Sequence, residues 1–257
     1  MGDPGSSIDR LREALGGQAE RLADARRTIE GVEFYPYEIL ANVAHLDSLL
    51  EGEQRDLDRL TGGMPVADIG AADGDLAFSL EAVLGWEMDI VDTAATNHNG
   101  LRGARALRDA LGSSAAIHDV DLDRDFHFPR ERYGLVLMLG ILYHLQSPLA
   151  VMRALAERSA HCLISTKVAR YAGPERAPIA DLPVAYLVGP TELNADPTNY
   201  WILSQAGLER LLERAGWAID AKLNVGDTTH SDPVSAEHDE RCFMLLRSLV
   251  APAAAAS

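Results

Sequence analysis

The apolar positions of this chain follow two different spacings. Ile8–Ile29 sets Leu11, Leu15, Leu22 and Ala25 near one face, with arginine and glutamate elsewhere, which predicts an amphipathic helix. Glu38–Leu50 returns to that period through Ile39, Val43, Leu46 and Leu49, and Asp56–Leu60 predicts a further short helix. Between them, Val32–Tyr37 (VEFYPY) is an aromatic turn fixed by Pro36. From Val66 onward, short apolar runs alternate with helical stretches. Strands are expected at Val66–Ile69, Met88–Val91, Ala115–Val120, Tyr133–Leu139 and His161–Thr166. Helices are expected at Leu76–Leu84, at Leu101–Leu111 and from Pro148 to Leu155, where the proline suits a first turn. Lys167–Leu203 reads as a long, irregular, proline-containing insertion of the kind that forms binding lids. Ser204–Ala215 is a helix with Ser204 as N-cap and Gly216 at its end. Trp217–Val225 and Arg241–Ser248 form a closing antiparallel pair.

This alternation predicts an α/β fold: a Rossmann-like, mostly parallel sheet with helices on both faces. Residues 1–62 are expected to form an N-terminal helical cap that sets Tyr35 and Tyr37 towards a ligand. Residues 63–250 are expected to form the main domain, with 168–203 as its lid, and 251–257 a disordered tail. Met1–Ser7, rich in glycine, serine and proline, is also expected to be disordered.

Composition narrows the class. A chain of 257 residues, 47% hydrophobic, buries a full core. Its longest apolar run, Gly134–Leu142, falls well short of the roughly 20 residues a membrane helix needs. The first thirty residues are charged throughout, so no signal peptide is expected. Cys162 and Cys242 sit inside apolar runs, as buried small hydrophobes do, and a cytoplasmic location is expected. The formal charge is −16, and Lys167 and Lys222 are the only lysines. Such a surface disfavours long phosphate backbones.

The chemistry centres on VADIGAADGD, Val66–Asp75: a buried strand, a small-residue turn and a helix start, as in the opening unit of a nucleotide-binding domain. The dinucleotide pattern needs glycine where Ala72 stands, and Asp73 and Asp75 would repel a pyrophosphate. A nicotinamide oxidoreductase is therefore disfavoured, and no Gly-Lys-Ser/Thr follows to make a phosphate loop. Acids flanking the turn suit a ligand with positive charge, and S-adenosylmethionine carries a sulfonium and an ammonium. Asp92 ends the second strand, where an acid accepts hydrogen bonds from a ribose diol. The run Asp119, Asp121, Asp123, Asp125 superficially suggests calcium, but its sixth and twelfth positions are Arg124 and Arg130 rather than glycine and an acid. His118 and His127 lack a zinc-like set, so no metal is expected. Arg102, Arg105 and Arg108 read as a solvated helix face. Tyr143 and His144 stand just past the C-terminal edge of the central strand, where α/β sheets bind ligands.

With the GILYH run at 140–144, the Ser147-Pro148 helix start and NYW…GLERLLERAGW at 199–217, the chain resembles the class I S-adenosylmethionine-dependent methyltransferases over about Pro65–Ser248. Within them it is similar to the branch that holds the tRNA wobble-uridine carboxymethyltransferase, which uses carboxy-S-adenosylmethionine. The resemblance implies the seven-stranded form of the sheet. It places Asp68, Gly70 and Gly74 at the methionine end of the cofactor, and Asp92, Thr93 and Ala94 at the ribose. It sets Val120 with Asp121, or Asp119 in a slipped register, beside the adenine. Leu139 would line the pocket, Tyr143 would lie near the reacting group, and Arg241 matches an arginine that holds the extra carboxylate.

One departure redirects the function. No lysine precedes Lys167, whereas the carboxymethyl enzyme sets an N-terminal lysine against that carboxylate. A carboxylate without its full set of cations is costly to bury. The expected activity is therefore methyl transfer from S-adenosylmethionine to a small molecule by in-line displacement, with carboxy-S-adenosylmethionine disfavoured and tRNA the only nucleic-acid candidate. His144 is the candidate base, being able to titrate near neutrality. Asn97, His98, Asn99, Asn199, Tyr200 and Trp201, together with Arg241, are candidate acceptor contacts. The alternatives are tRNA carboxymethylation and a non-catalytic cofactor-binding protein. No membrane partner is expected, and a homodimer is admitted.

Overall fold

The computed structural model of the chain describes residues 5–124 and 128–250. Asp125, His127, the first four residues and the tail at 251–257, about which the sequence raised expectations, lie outside the described residues.

Three helices come first: α1 (Ser7–Thr28), α2 (Asn42–Leu49) and α3 (Leu57–Thr61). The expected Glu38–Leu50 helix opens instead with a 3-10 turn, Ile39–Ala41, in which the Ala41 N–H donates to the Glu38 carbonyl and the Asn42 N–H to the Ile39 carbonyl, with Asn42 Nδ2 adding a second donor there. Strands and helices then alternate: β1 (Val66–Ile69), α4 (Asp75–Leu84), β2 (Met88–Asp92), α5 (Arg102–Leu111), β3 (Ala116–Asp119), β4 (Tyr133–Leu139), α6 (Pro148–Ala156) and β5 (Ser159–Ala169). The stretch expected to be an irregular insertion contains four short strands: β6 (Tyr171–Ala172), β7 (Ala177–Pro178), β8 (Ala185–Leu187) and β9 (Trp201–Ser204). The chain ends with α7 (Gln205–Arg214), β10 (Trp217–Gly226) and β11 (Glu240–Ser248).

The sheet runs β10-β11-β5-β4-β1-β2-β3, a seven-strand path. Strands β1 to β5 are parallel to one another, and β11 is antiparallel to both β5 and β10. β5 outlasts its expected end by Lys167–Ala169. Past Ser165, where β4 stops, β9 takes up Val168 and Ala169, while β11 pairs the other edge. These partners come from far along the chain, so local periodicity carries no trace of them.

Alternate residues of β4 feed opposite layers, as the two-residue period of a strand requires. Leu135 and Leu137 join a core with Ile8 and Leu11 of α1, Val43 and Leu46 of α2, and Leu76 and Phe78 of α4. Val136 and Met138 join a second core with Val151, Met152 and Leu155 of α6 and Leu208 and Leu212 of α7. Each such fully buried side chain contributes roughly 1.5–3 kcal/mol. Both cysteines are buried and unpaired, and among the described residues no helix is long and apolar enough to cross a membrane.

Gly134 opens β4 against α3, and a Cβ there would lie 1.9 Å from the Thr61 carbonyl oxygen. Gly134→Ala is expected to destabilise the fold by about 1–3 kcal/mol in urea unfolding. An unchanged midpoint would show that this approach is not a constraint.

Candidate functional site

The chain leaving β1 must turn at once, and Gly70 does so at φ +67° with the Ile141 side chain packed where its Cβ would stand, 2.2 Å away. That contact joins the exits of β1 and β4. Ala72 also takes a left-handed conformation, at φ +54°. Its N–H donates to Asp92 Oδ2 (3.2 Å), which also accepts from Asn97 Nδ2 (2.9 Å), and Asp92 Oδ1 accepts the Thr93 N–H (2.7 Å). Asp119 Oδ1 accepts the Ala94 N–H at 2.9 Å, and Val120 N–H donates to the Asp92 carbonyl. The ends of β1, β2 and β3 are thus laced together around one edge, with Asp68, Gly70, Gly74, Asp92, Thr93, Ala94, Asp119 and Val120 along it.

The acids at the helix entrance have protein partners rather than open space. Asp75 is buried against Arg26 Nη2, 2.6 and 2.8 Å from its two oxygens, and Arg26 also lies over the Phe34 ring. Asp73 accepts the Tyr35 N–H (2.6 Å) and Asn99 Nδ2 (2.7 Å). Both carboxylates therefore latch the N-terminal segment onto the turn. Among the described residues, Asp68 has no such cation. Burial first, then the charges of Asp92 and Asp75, push its carboxyl up to about 7, opposed by the Ala77 N–H. Burial also raises Asp92, and it raises Asp75 despite Arg26.

Across the switch point, β4 leaves through Gly140 into a 3-10 turn, Leu142–His144. The Tyr143 and His144 rings lie 4.3 Å apart. The segment before β9 wraps this turn: Tyr200 N–H donates to the Tyr143 carbonyl (2.8 Å), Trp201 Nε1 to Gln146 O (3.2 Å), and Gln146 Nε2 to the Tyr200 hydroxyl (3.2 Å). His144 Nδ1 lies 2.9 Å from Thr198 Oγ1 and 3.1 Å from the Thr198 carbonyl. Burial lowers the His144 pKa, while Asp196 and Thr198 oppose the shift and Arg241 adds to it. The Arg241 guanidinium and the Tyr143 hydroxyl flank the space over Gly140. Behind Arg241, its β5 register partner Lys167 is buried on Asp239 (2.8 Å) and Ser235 O (3.1 Å), and Arg241 Nε lies 3.4 Å from the same carboxylate. Two cations share one carboxylate, which leaves positive charge beside Tyr143. Tyr35 completes the cluster: burial, Tyr143 and Tyr37 push its hydroxyl up to about 12.

Several expected contacts have other roles. Asn99 is buried, its amide donating to Glu33 O and Asp73 and its oxygen accepting the Gly103 N–H, which leaves it no group for an acceptor. Asn199 is likewise turned inward, onto Leu193 O and Asp196 O. Both are fasteners rather than ligand contacts, because an interior amide is held by the backbone groups it must satisfy. Asn97 serves Asp92, and His98 stands at the edge of Tyr35 with ring centroids 6.0 Å apart. Leu139 is half-buried at the end of β4. Asp121 accepts the Asp123 N–H, and Asp123 caps Gln146 and Ser147, so the acidic run ties loops together. Among the described residues, no three His, Cys, Asp or Glu side chains are grouped to hold a metal ion. His118 lies 3.4 Å from buried Asp89, away from the site.

Sequence reasoning missed Lys167 as a partner, Asp239, Asp196 and Thr198. A rare lysine closing an apolar strand, and the Asp-Pro-Thr turn, were the available signals.

A family model described as a methyltransferase domain matches residues 33–222. No curated protein matches the chain's sequence. Among solved structures, the N-terminal domain of EvdMO1, crystallised in the presence of SAH and D-fucose, is 18% identical with a TM-score of 0.57, over 90% of this chain and 97% of that one. The cyclase SpnF is 13% identical with a TM-score of 0.57, over 96% and 98%. An S-adenosylmethionine-dependent methyltransferase from Mesorhizobium loti is 16% identical with a TM-score of 0.52, over 76% and 97%. At such identities the likeness concerns the fold alone.

Asp68 yields a stability prediction. Its folded pKa of about 7 exceeds the ordinary value of 3.8, so the folded state holds a proton that the unfolded chain has lost between those values. Its stabilising contribution is complete below pH 3.8 and is lost as pH rises to about 7. Asp68→Asn is expected to stabilise the protein at pH 8 by roughly 2–4 kcal/mol and to flatten this slope in part, since Asp75 and Asp92 shift in the same direction. Parallel pH slopes for variant and parent, in thermal or urea unfolding, would overturn the assignment.

Proposed function

The chain belongs to the methyltransferase-domain family, and from that premise we propose that it transfers a methyl group from S-adenosylmethionine to a small-molecule acceptor by in-line displacement. The observation that carries this reading is Asp68, a buried carboxyl without a cationic partner among the described residues, at the switch point where the Tyr35, Tyr143, His144 and Arg241 cluster begins. The donor set suits the cofactor. Asp68 would face its ammonium, and the unused lone pair of Asp92 its ribose hydroxyls, with Thr93 and Ala94 alongside. Val120, with Asp119 or Asp121, would flank the adenine, and Leu139 would line the pocket. Once bound, the cofactor would supply an electrophilic methyl carbon attached to a good leaving group.

The chain's own residues supply alignment, desolvation and a base. Tyr143 would stand beside the reacting centre, Arg241 and Tyr200 would lie towards the acceptor, and Tyr35 and Ile141 would help exclude water. His144, its pKa lowered by burial, is neutral at pH 7 and able to accept a proton.

The positive charge at Arg241 and Lys167 favours a second reading, in which a carboxylate sits there, as carboxy-S-adenosylmethionine would bring for a tRNA acceptor. The net charge of −16 opposes tRNA. A third, a cofactor-binding protein without methyl transfer, is in keeping with a fold neighbour that is a cyclase.

Native mass spectrometry followed by titration with S-adenosylmethionine and its carboxy derivative tests these readings. S-adenosylmethionine or its demethylated product is expected to bind, with nothing gained from the carboxylate. A clear preference for the carboxy form would instead support the tRNA reading, and binding of neither would overturn the cofactor assignment. Asp92→Ala is expected to weaken binding about tenfold, close to 1.4 kcal/mol. A cation beside Asp68 favours its ionised form, so calorimetry at pH 6 in two buffers should show proton release on binding, absent in Asp68→Asn.

A further inference from the structure

His144 reaches across to a residue 54 positions away, and the chemistry of that contact determines which ring nitrogen is protonated. The connection before β9 makes a tight turn, with Asn194 and Ala195 both left-handed at φ +55° and +51° and Pro197 stiffening the backbone between Asp196 and Thr198. Within it, Asp196 Oδ1 accepts the Thr198 N–H (2.9 Å) and the Thr198 hydroxyl (2.6 Å). A threonine hydroxyl has one hydrogen, and a carboxylate has none to give. The Thr198 hydrogen is therefore committed to Asp196. Towards His144 Nδ1, Thr198 Oγ1 can then only accept, and so can the Thr198 carbonyl. Two acceptors converge on Nδ1, which must carry the proton. In a neutral imidazole this leaves Nε2 with a bare lone pair. Every hydrogen bond that the ring makes to the described residues runs through Nδ1.

We propose that Asp196 and Thr198 are positioning residues that lock His144 in its Nδ1–H form, presenting Nε2 as the base and steadying the imidazolium that forms. This rests on the methyl-transfer reading. As the acceptor's O–H or N–H proton passes to Nε2, the acceptor lone pair bonds the methyl carbon, and the electron pair of the breaking carbon–sulfur bond stays on sulfur. The imidazolium then gives its proton to solvent. The arrangement has the logic of a carboxylate-oriented histidine, with a hydroxyl interposed. The groups facing His144 have opposing effects. Asp196 stabilises its charged form, whereas burial and Arg241 favour the neutral one, the charge of Arg241 being partly offset by Asp239. Tyr143 on the same turn and Tyr35 from the N-terminal segment have raised pKa values and are neutral at pH 7. A base built this way is complete only when the segment before β9 lies on the β4 exit.

The test is 15N NMR of the imidazole nitrogens in the ligand-free full chain, followed through a pH titration. The parent is expected to show a protonated Nδ1 and an unprotonated Nε2 above its pKa, and a protonated Nε2 there would overturn the proposal without any variant. Asp196→Asn keeps an oxygen for Thr198 but removes the charge, so the His144 pKa should fall by about half a unit or more. A merely structural turn would leave that titration in place, and this result too would overturn the proposal. Thr198→Val removes one of the two acceptors on Nδ1 and leaves the carbonyl, so a minor share of the Nε2–H form should appear, and Thr198→Ser should restore the parent spectrum. If the spectra behave as expected but no methyl transfer is ever found, the functional reading fails while the tautomer lock stands.

Discussion

Strands β1 and β4 lie side by side and parallel, and the chain leaves them for opposite faces of the sheet. From β1 it enters α4, which packs with α1 on one side, and from β4 it enters the 3-10 turn and α6 on the other. Such a divergence is where open α/β sheets bind ligands, because neither helix covers both strand ends. The groups proposed for cofactor and acceptor stand around these strand ends. Ile141 packed on Gly70 joins the two, so a change at one is felt at the other.

The acids at these strand ends have two distinct roles. Asp73 and Asp75 hold the N-terminal segment through the Tyr35 amide and Arg26, which brings the Tyr35 ring within electrostatic reach of Tyr143 and Arg241. Asp68 is left without a cation among the described residues, and burial pushes its carboxyl up to about 7, so that a cation brought beside it would favour the ionised form. The opposite sign prevails a short distance away, where Arg241 and Lys167 share Asp239. Carboxyls at one end of this edge and cations at the other thus stand together in a protein of net charge −16.

Membership of a methyltransferase family defines the scaffold and the class of reaction more firmly than it defines the acceptor. A cyclase shares this architecture, which illustrates that chemistry resides in the groups mounted at the strand ends rather than in the sheet. The mounted groups here are a neutral histidine, two tyrosines and an arginine, drawn from the N-terminal segment, the β4 exit and β11. The lining that differentiates such proteins is thus assembled from distant parts of the chain.

Element order, the small-residue turn after β1 and the location of Tyr143 and His144 at a strand end were legible in the sequence. Each depends on near neighbours: an apolar run short enough to be a strand, glycines where left-handed backbone is needed, a proline that starts a helix. Beyond its reach were the roles that depend on partners far away in sequence. Asn99 and Asn199 were candidate acceptor contacts, yet both amides are buried and bonded within the protein, because burial is set by packing and not by residue type. Lys167 looked like the start of a loop, yet it closes a strand whose last residues are held by β9 and β11. The partner of Asp75 is 49 residues away and that of His144 is 54, separations over which a one-dimensional pattern carries no register. The sequence by itself determined the scaffold and which residues stand at the strand ends, and only the tertiary structure decided which acids have partners, which carboxyl is buried without a cation among the described residues, and which nitrogen of His144 is bare.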